Sequence, residues 1–357
     1  MPPPLPAPVI EFEQVSIVFG KRPEDALPLM DKGLSRREIS AATGQILGVH
    51  NCSLTVHKGE MLVLMGLSGS GKSTLLRAVN GLNPVTRGRL ALHTQEGTIN
   101  VADATRQMLH QLRRHHVAMV FQQFGLLPWR TVRANIGLGL ELAGITGEEQ
   151  KQRVSSQLEL VGLTDRADAK VSELSGGMQQ RVGLARAYAT TAPVLLMDEP
   201  FSALDPLIRT HLQDELLQHQ EKLDCSILFV SHDLEEAFKL GHRIAIMDEG
   251  RIVQIGTPRQ IFHQPSTDYV QRFVSQINPL QVITAEDILA YSTVNKQGQP
   301  DDLRQDADMP ASAIMSLLHE HDGLITITRD GHPLGQIDRQ ALLSCLANYN
   351  RNLTSAR

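Results

Sequence analysis

The chain has 357 residues, a formal net charge of −5 and a hydrophobic content of 41%, the make-up of an ordinary globular protein with room for about two domains. The acidic balance leaves no basic footprint for nucleic acid, and every apolar run falls short of the ~18 residues of a membrane span. The three cysteines, Cys52, Cys225 and Cys345, lie scattered with no CxxC or metal spacing, which predicts a reducing compartment and no disulfide framework. The start, Met1 to Pro6, lacks the charged and apolar regions of a signal peptide.

From the N-terminus, residues 9–19 alternate apolar and polar like a half-buried strand. Residues 21–48 interrupt, with two short polar helical pieces around Ser35-Arg36-Arg37-Glu38. Strands are predicted at 52–57, 61–65, 117–121, 194–198, 227–231, 244–247 and 252–255; several are continuously apolar, as in a parallel sheet buried on both faces. Helices are predicted at 73–80, 105–114, 147–161, 178–190, 207–222 and 233–240, and the alternation predicts an α/β domain. Residues 128–190 read as a largely helical subdomain between two strands. The character changes near 276–284, so the expected domains are 1–280 and 281–357. The second contains an acidic loop (Asp301, Asp302, Asp306, Asp308), a helix over 311–319, a strand from Gly323 to Thr328, a turn at Asp330-Gly331, and a further strand and helix within 334–346.

Gly66-Leu67-Ser68-Gly69-Ser70-Gly71-Lys72-Ser73 follows the strand 61–65 and runs into the helix that continues with Thr74. Strand, glycine-rich loop and helix form the setting of a phosphate-binding loop: successive amides converge on phosphate, and the helix N-terminus adds its positive end. Gly66, Ser68, Gly69, Gly71, Lys72, Ser73 and Thr74 are the expected nucleoside triphosphate contacts, with Lys72 on the β/γ-phosphates and Ser73 on Mg²⁺. Val194-Leu195-Leu196-Met197-Asp198-Glu199-Pro200 is an apolar strand ending in two carboxylates. In this company Asp198 is expected to bind Mg²⁺, directly or through water. Glu199 is expected to orient the attacking water as general base.

A third motif, Leu174-Ser175-Gly176-Gly177-Met178-Gln179-Gln180-Arg181, stands at a helix start just before that strand. Together the three resemble the ATP-binding cassette (ABC) ATPases, whose signature reads LSGGQ; Met178 departs at its fifth position. The resemblance implies a P-loop cassette with a mostly parallel sheet, an antiparallel β subdomain and a helical subdomain. It implies ATP and Mg²⁺, and a head-to-tail pair of chains in which Ser175, Gly176 and Gly177 meet the γ-phosphate of ATP held by the other copy. Gln122 matches the family's Q-loop glutamine, which senses Mg²⁺ and water, with Gln123 as the alternative register. Ser202-Ala203-Leu204-Asp205 matches the D-loop, and His232 the histidine that contacts the γ-phosphate and the catalytic carboxylate. Phe19 matches the aromatic that stacks on adenine; a core position is its alternative. With Lys72, Glu199 and His232 all present, the resemblance implies a working ATPase rather than a scaffold.

Leu29 to Ser35, Glu38-Ile39, Leu47-Gly48-Val49, Met65 to Lys72, Met119 to Gln122 and Phe201 to Arg209 further resemble the ATPases of glycine betaine/proline and choline importers, over about residues 9–275. This implies a peripheral subunit on the cytoplasmic face of the inner membrane. Membrane permease subunits would be its direct partners, and a substrate-binding protein an indirect one. An importer of another small solute and a non-transport ABC ATPase are the alternatives. Gln122 to Ala134, with Pro128-Trp129-Arg130, is expected to receive a helix of the membrane subunit. Gly323 to Gly331 and Leu334 to Arg339 resemble one CBS-type repeat, with 282–309 as a degraded partner. The appendage holds ten Asp/Glu against six Lys/Arg, the wrong sign for docking on anionic lipid. It reads as a dimer contact or vestigial regulator in preference to an ionic-strength switch.

Overall fold

Residues 6–292, 303–321 and 323–354 are described by a computed structural model, in which the chain packs as two units, Met1–Ile255 and Gly256–Arg357. The acidic pair Asp301 and Asp302 lies outside the described residues.

The first unit contains two sheets. An antiparallel one, in the order β2-β1-β4-β5, is built from β1 (Pro8–Phe19), β2 (Ile46–His57), β4 (Arg87–Thr94) and β5 (Gly97–Asn100). The strands β4 and β5 occupy a stretch where the sequence reading places none. Their pattern is weak because Leu90, Ala91 and Leu92 are all buried, which abolishes alternation; pairing of Leu90 with Phe12 and Leu92 with Ile10 makes the strand. Gly88, at φ +98°, lies so close to the Glu13 and Gln14 carbonyls that a Cβ would stand 2.5 Å from one of them.

The second sheet runs β10-β9-β3-β8-β7-β6, from β3 (Met61–Met65), β6 (Val117–Val120), β7 (Val194–Asp198), β8 (Ser226–Val230), β9 (Arg243–Asp248) and β10 (Arg251–Gly256). Pairs β3/β8, β3/β9, β6/β7 and β7/β8 are parallel. Every residue of β3, β7 and β8 is buried, which explains their continuous apolar runs. The helix expected over 105–114 divides: an α-helix covers Arg106–Gln111 and a π-turn Leu112–His116 leads directly into β6. The helical subdomain comprises Val132–Ile136, Leu138–Leu142, Gly147–Leu160 and Gly176–Ala189.

The insert between β1 and β2 is a folded element. It contains a 3-10 turn (Pro23–Ala26) and helices Leu27–Asp31 and Arg36–Thr43, the latter opened by a Ser35/Glu38 capping box. Ala26, Met30 and Ile39 bury against Val18 and Leu47. Because β1 ends at Phe19 opposite Ile46, the insert stands at that end of the hairpin.

In the second unit, β11 (Leu303–Asp306) pairs in parallel with β12 (Ile325–Arg329), which pairs antiparallel with β13 (His332–Ile337). The β12–β13 turn carries positive φ at both Asp330 and Gly331, the geometry that matches strand twist. β11 occupies part of the stretch read as an acidic loop. Ile283, Ile288, Ile314, Ile325, Ile327 and Ile337 form the core under helices Ala311–Glu320 and Arg339–Thr354. Arg259 ties to Glu286 at 2.8 Å and Asp287 at 2.6 Å. Burial alone would raise the Asp287 carboxyl; His263 nearby, the Thr284 N–H and Arg259 more than offset it and hold the group well below the usual carboxylate range.

Candidate nucleotide site

Four adjacent parallel strands, β6, β7, β8 and β3, deliver the site from their C-terminal ends. The registers Val120↔Met197, Asp198↔Val230 and Leu64↔Val230 bring those ends nearly level. Residues just past each end therefore converge, as expected of ligand sites in parallel α/β sheets. A cavity of about 660 Å³ is lined by Phe19, Ser68, Gly69, Gly71, Lys72, Ser73, Thr74, Gln122, Glu199 and His232 among the residues picked out from the sequence. Gly66 stands at the foot of the loop. A Cβ there would fall 2.1 Å from the Met247 carbonyl, so β9 passes too close for any side chain. Gly71 caps the following helix at φ +103°, and its Cβ would meet the Gly48 carbonyl at 2.6 Å.

The loop carbonyls are engaged by protein donors. Lys72 Nζ donates to Gly66 O at 2.7 Å and Leu67 O at 2.9 Å, Arg36 Nη1 to Gly69 O at 2.8 Å, and the Gly250 N–H to Ser70 O at 3.0 Å. In a trans peptide the next N–H points opposite the carbonyl, so fixing Ser70 O fixes the direction of the Gly71 amide. A Cβ at Gly69 would meet nothing within 4 Å, which leaves open space on that side of the loop. These features fit a polyphosphate. Burial lowers the Lys72 ammonium's pKa, and the Glu199 and Asp198 carboxylates oppose that shift.

Asp198 is 0% exposed. Ser73 Oγ donates to its Oδ1 at 2.6 Å, while Arg77 donates to Oδ2 through Nε at 3.1 Å and Nη2 at 2.8 Å. Arg77 was not singled out from the sequence. Its spacing from Ser73, four residues along one helix, is the signal that could have found it, because such residues share a face. Replacing Arg77 with Met leaves a buried carboxylate without its countercharge. The expected loss is about 1–3 kcal/mol of unfolding free energy, read by urea titration; an unchanged midpoint would remove Arg77 from this role.

Glu199 follows β7 in a left-handed conformation, φ +50°, which costs on the order of 1–3 kcal/mol in a non-glycine residue. The Glu199 N–H donates to Val230 O at 3.0 Å, and its carbonyl accepts from Gln180 Nε2 at 3.2 Å and Ser202 Oγ at 3.1 Å. So held, its side chain is 17% exposed, with Oε2 3.2 Å from both Gln122 Nε2 and His232 Nδ1. Of the two neighbouring glutamines, Gln122 is the one whose amide donates to this carboxylate. Phe19 is half-buried: it packs on the core and also lines the cavity.

Ser175, Gly176, Gly177 and Asp205 lie outside the cavity. Ser175 caps helix Gly176–Ala189, with Oγ accepting the Met178 N–H at 3.4 Å, and Ser175 and Gly176 are exposed. Asp205 caps helix Pro206–Leu223 by accepting the Ile208 N–H at 3.0 Å. Buried Gln180 connects this region to the site, since its Oε1 accepts the Ala203 N–H at 3.0 Å while its amide holds the Glu199 carbonyl. Arg186 does the same for the Q-loop, donating to Gly125 O at 2.6 Å and Phe124 O at 2.8 Å. Neither glutamine nor arginine carried a sequence signal beyond its place in the signature helix.

A phosphate cradle beside a carboxylate that can orient water is the arrangement of a P-loop triphosphate hydrolase, and the Ser-Gly-Gly helix start narrows it to the cassette type. Residues 49–202 match the ABC transporter family. The chain is 47% identical over 285 residues, 80% of its length and 70% of the relative's, to the glycine betaine/proline betaine transport system ATP-binding protein ProV of Salmonella typhimurium. It is 43% identical over 340 residues to the trimethylamine N-oxide transport system ATP-binding protein TmoW of Ruegeria pomeroyi, covering 95% of this chain and 97% of that one. A solved dimeric post-hydrolysis structure of the ATP-binding cassette MJ0796, bound to ADP and Pi, superposes with a TM-score of 0.60 at 29% identity, over 70% of this chain and 99% of that one. The chain belongs to the ATP-binding subunits of ABC transporters.

Proposed function

We propose that the chain is the ATP-hydrolysing subunit of an importer for small methylated amines, working as a head-to-tail pair on the cytoplasmic face of the inner membrane. The observation that carries the ATPase reading is the Glu199 carboxylate held between Gln122 and His232 beside the phosphate loop. Lys72 and the loop amides hold the phosphates of one ATP. The exposed Ser175 hydroxyl and the Gly176 and Gly177 amides, at the N-terminus of a 14-residue helix, reach the γ-phosphate bound by the partner copy. Ser73 Oγ and Asp198 would be the oxygens that hold Mg²⁺, Asp198 directly or through water, with Gln122 beside them. When bound, the ion would neutralise charge on the phosphates. Glu199 orients the attacking water and accepts its proton, and His232 steadies that carboxylate.

No helix among the described residues is long and apolar enough to cross a membrane. In the proposed importer the passage itself belongs to a permease. Its docking place is a groove of about 380 Å³ away from the nucleotide cavity, with Leu82, Phe121 and Leu142 as apolar lining and His110, Arg113 and Arg114 as basic lining. That combination fits an amphipathic permease helix carrying acidic groups. The loop after the Q-loop is pinned by Asn135, which accepts the Leu127 N–H and donates to the Leu127 and Thr131 carbonyls, and it presents Trp129 at 71% exposure. Trp129→Ala and Arg114→Glu are expected to reduce co-purification with the permease at least about tenfold, on the scale of an interface anchor, with the isolated chain's ATPase unchanged. Normal assembly in both variants would discard this docking site.

The solute class rests on the relatives. Loss of labelled glycine betaine or choline uptake when the chain is deleted supports it; unchanged uptake of both in a strain without other carriers sends the solute elsewhere. Trimethylamine N-oxide is the second reading, favoured by a match that covers 97% of TmoW's own length. Residues 281–357, within the second unit, we read as a CBS-like appendage that serves as a dimer contact or vestigial regulator; loss of osmotic gating with normal ATPase activity on deletion of 281–357 would overturn that preference.

A further inference from the structure

The insert between β1 and β2 reaches the phosphate loop through one side chain. Arg36, the first residue of the insert helix, lines the nucleotide cavity. Its Nη1 donates to Gly69 O at 2.8 Å and its Nη2 to Gly48 O in β2. Those two carbonyls belong to different walls of the cavity. Gly48 lies against the Phe19 ring, where a Cβ would stand 2.8 Å from Cε2, and Gly69 is within the phosphate loop. The Gly48 carbonyl also lies against Gly71, and the guanidinium against Gly250, whose N–H holds Ser70 O. One planar cation therefore spans β2, the phosphate loop and the β9–β10 turn.

The peptide it holds is a consequential one. Gly69 O faces Arg36 while the N–H of the same peptide, on Ser70, donates to Leu67 O at 3.1 Å. The two bonds fix both ends of the Gly69–Ser70 plane, from which the Gly71 turn and Lys72 follow. The clamp has a cost: Arg36 Nε is buried with no hydrogen-bond partner, and burial lowers the guanidinium's pKa, opposed by Glu249 and Asp248. Buried polar groups are nearly always paired, so an orphaned donor beside a ligand cavity calls for an explanation.

We propose that Arg36 is a positioning residue for ATP, through which the insert locks the Gly69–Ser70 peptide against β2 and sets nucleotide affinity. The inference rests on the ATP-site reading above. It gives the insert a role in nucleotide binding, independent of any role in solute choice.

The test uses the full chain and the variants Arg36→Ala, Arg36→Lys and the exposed neighbour Arg37→Ala. Affinity is read with fluorescent ATP, kcat at saturating ATP, and the loop by hydrogen–deuterium exchange over residues 62–76 without nucleotide. Arg36→Ala is expected to bind ATP about tenfold more weakly, the scale of a charge-assisted hydrogen bond, with kcat at saturation held within about twofold. Exchange of the loop should speed up, Arg36→Lys should recover part of both losses, and Arg37→Ala should match the parent chain. Unchanged affinity and exchange in Arg36→Ala, or equal effects from Arg36 and Arg37, would overturn the proposal. If Arg36→Ala does not fold, Arg36→Lys decides: parent-like affinity and exchange in it overturn the clamp, because a single ammonium nitrogen cannot occupy both places that Nη1 and Nη2 hold against Gly69 O and Gly48 O. Lys72→Ala separates the two levels. Loss of ATP binding there with a parent-like Arg36→Ala removes only the clamp, whereas retained binding in Lys72→Ala removes the site reading itself.

Discussion

Replacing Glu199 with Gln is expected to lower ATP turnover about 100- to 10,000-fold, the usual contribution of a positioned general base, while ATP still binds. The substitution keeps the shape and removes the charge. Gln122 and His232 both address Oε2 at 3.2 Å, and an amide at that position can still accept from one of them, so the surrounding geometry should survive. The strained backbone at φ +50° is held by Val230, Gln180 and Ser202, none of which contacts the changed group, so folding should be little affected. ATP that binds and is not hydrolysed should hold two copies together. Size-exclusion chromatography with light scattering in ATP and Mg²⁺ should then show a dimer that reverts to monomer when nucleotide is removed. Turnover near that of the parent chain would remove Glu199 as the base.

Lys72→Ala acts one step earlier. The ammonium is largely buried and donates to the Gly66 and Leu67 carbonyls as well as standing at the cavity wall, so its removal takes away both a loop brace and a phosphate-directed charge. ATP affinity is expected to fall about 100-fold or more, the scale of a lost charged contact in a partly desolvated site. Calorimetric titration with a slowly hydrolysed ATP analogue measures it. The two substitutions are distinguishable: Glu199→Gln should keep nucleotide and lose chemistry, whereas Lys72→Ala should lose nucleotide. Parent-like affinity in Lys72→Ala would count against the phosphate-loop assignment.

Much of the site was legible in the linear chain because its parts are local. A glycine-rich loop between a strand and a helix, two carboxylates ending an apolar strand, and a Ser-Gly-Gly helix start each report their chemistry within eight residues. The continuous apolar runs of β3, β7 and β8 likewise announced a sheet buried on both faces. What was not legible depends on partners far apart in the chain. Leu90, Ala91 and Leu92 carry no alternation, and β4 exists because β1 pairs with it. Leu303–Asp306 is polar in pattern, and it becomes a strand by lying in parallel beside β12.

The same division runs through the site residues. The sequence by itself determined the phosphate loop, Asp198, Glu199 and the signature helix, because glycine freedom, strand burial and helix capping are properties of neighbouring residues. Only the tertiary structure decided that Gln122 rather than Gln123 meets Glu199, that Arg77 neutralises Asp198, and that Gln180 and Arg186 join the signature helix to the site. It alone placed Arg36 of the insert on the phosphate loop, 33 residues along the chain. The physical reason is that a long polar side chain chooses its partner by reach and desolvation, and both are set by which strand ends the sheet order brings side by side.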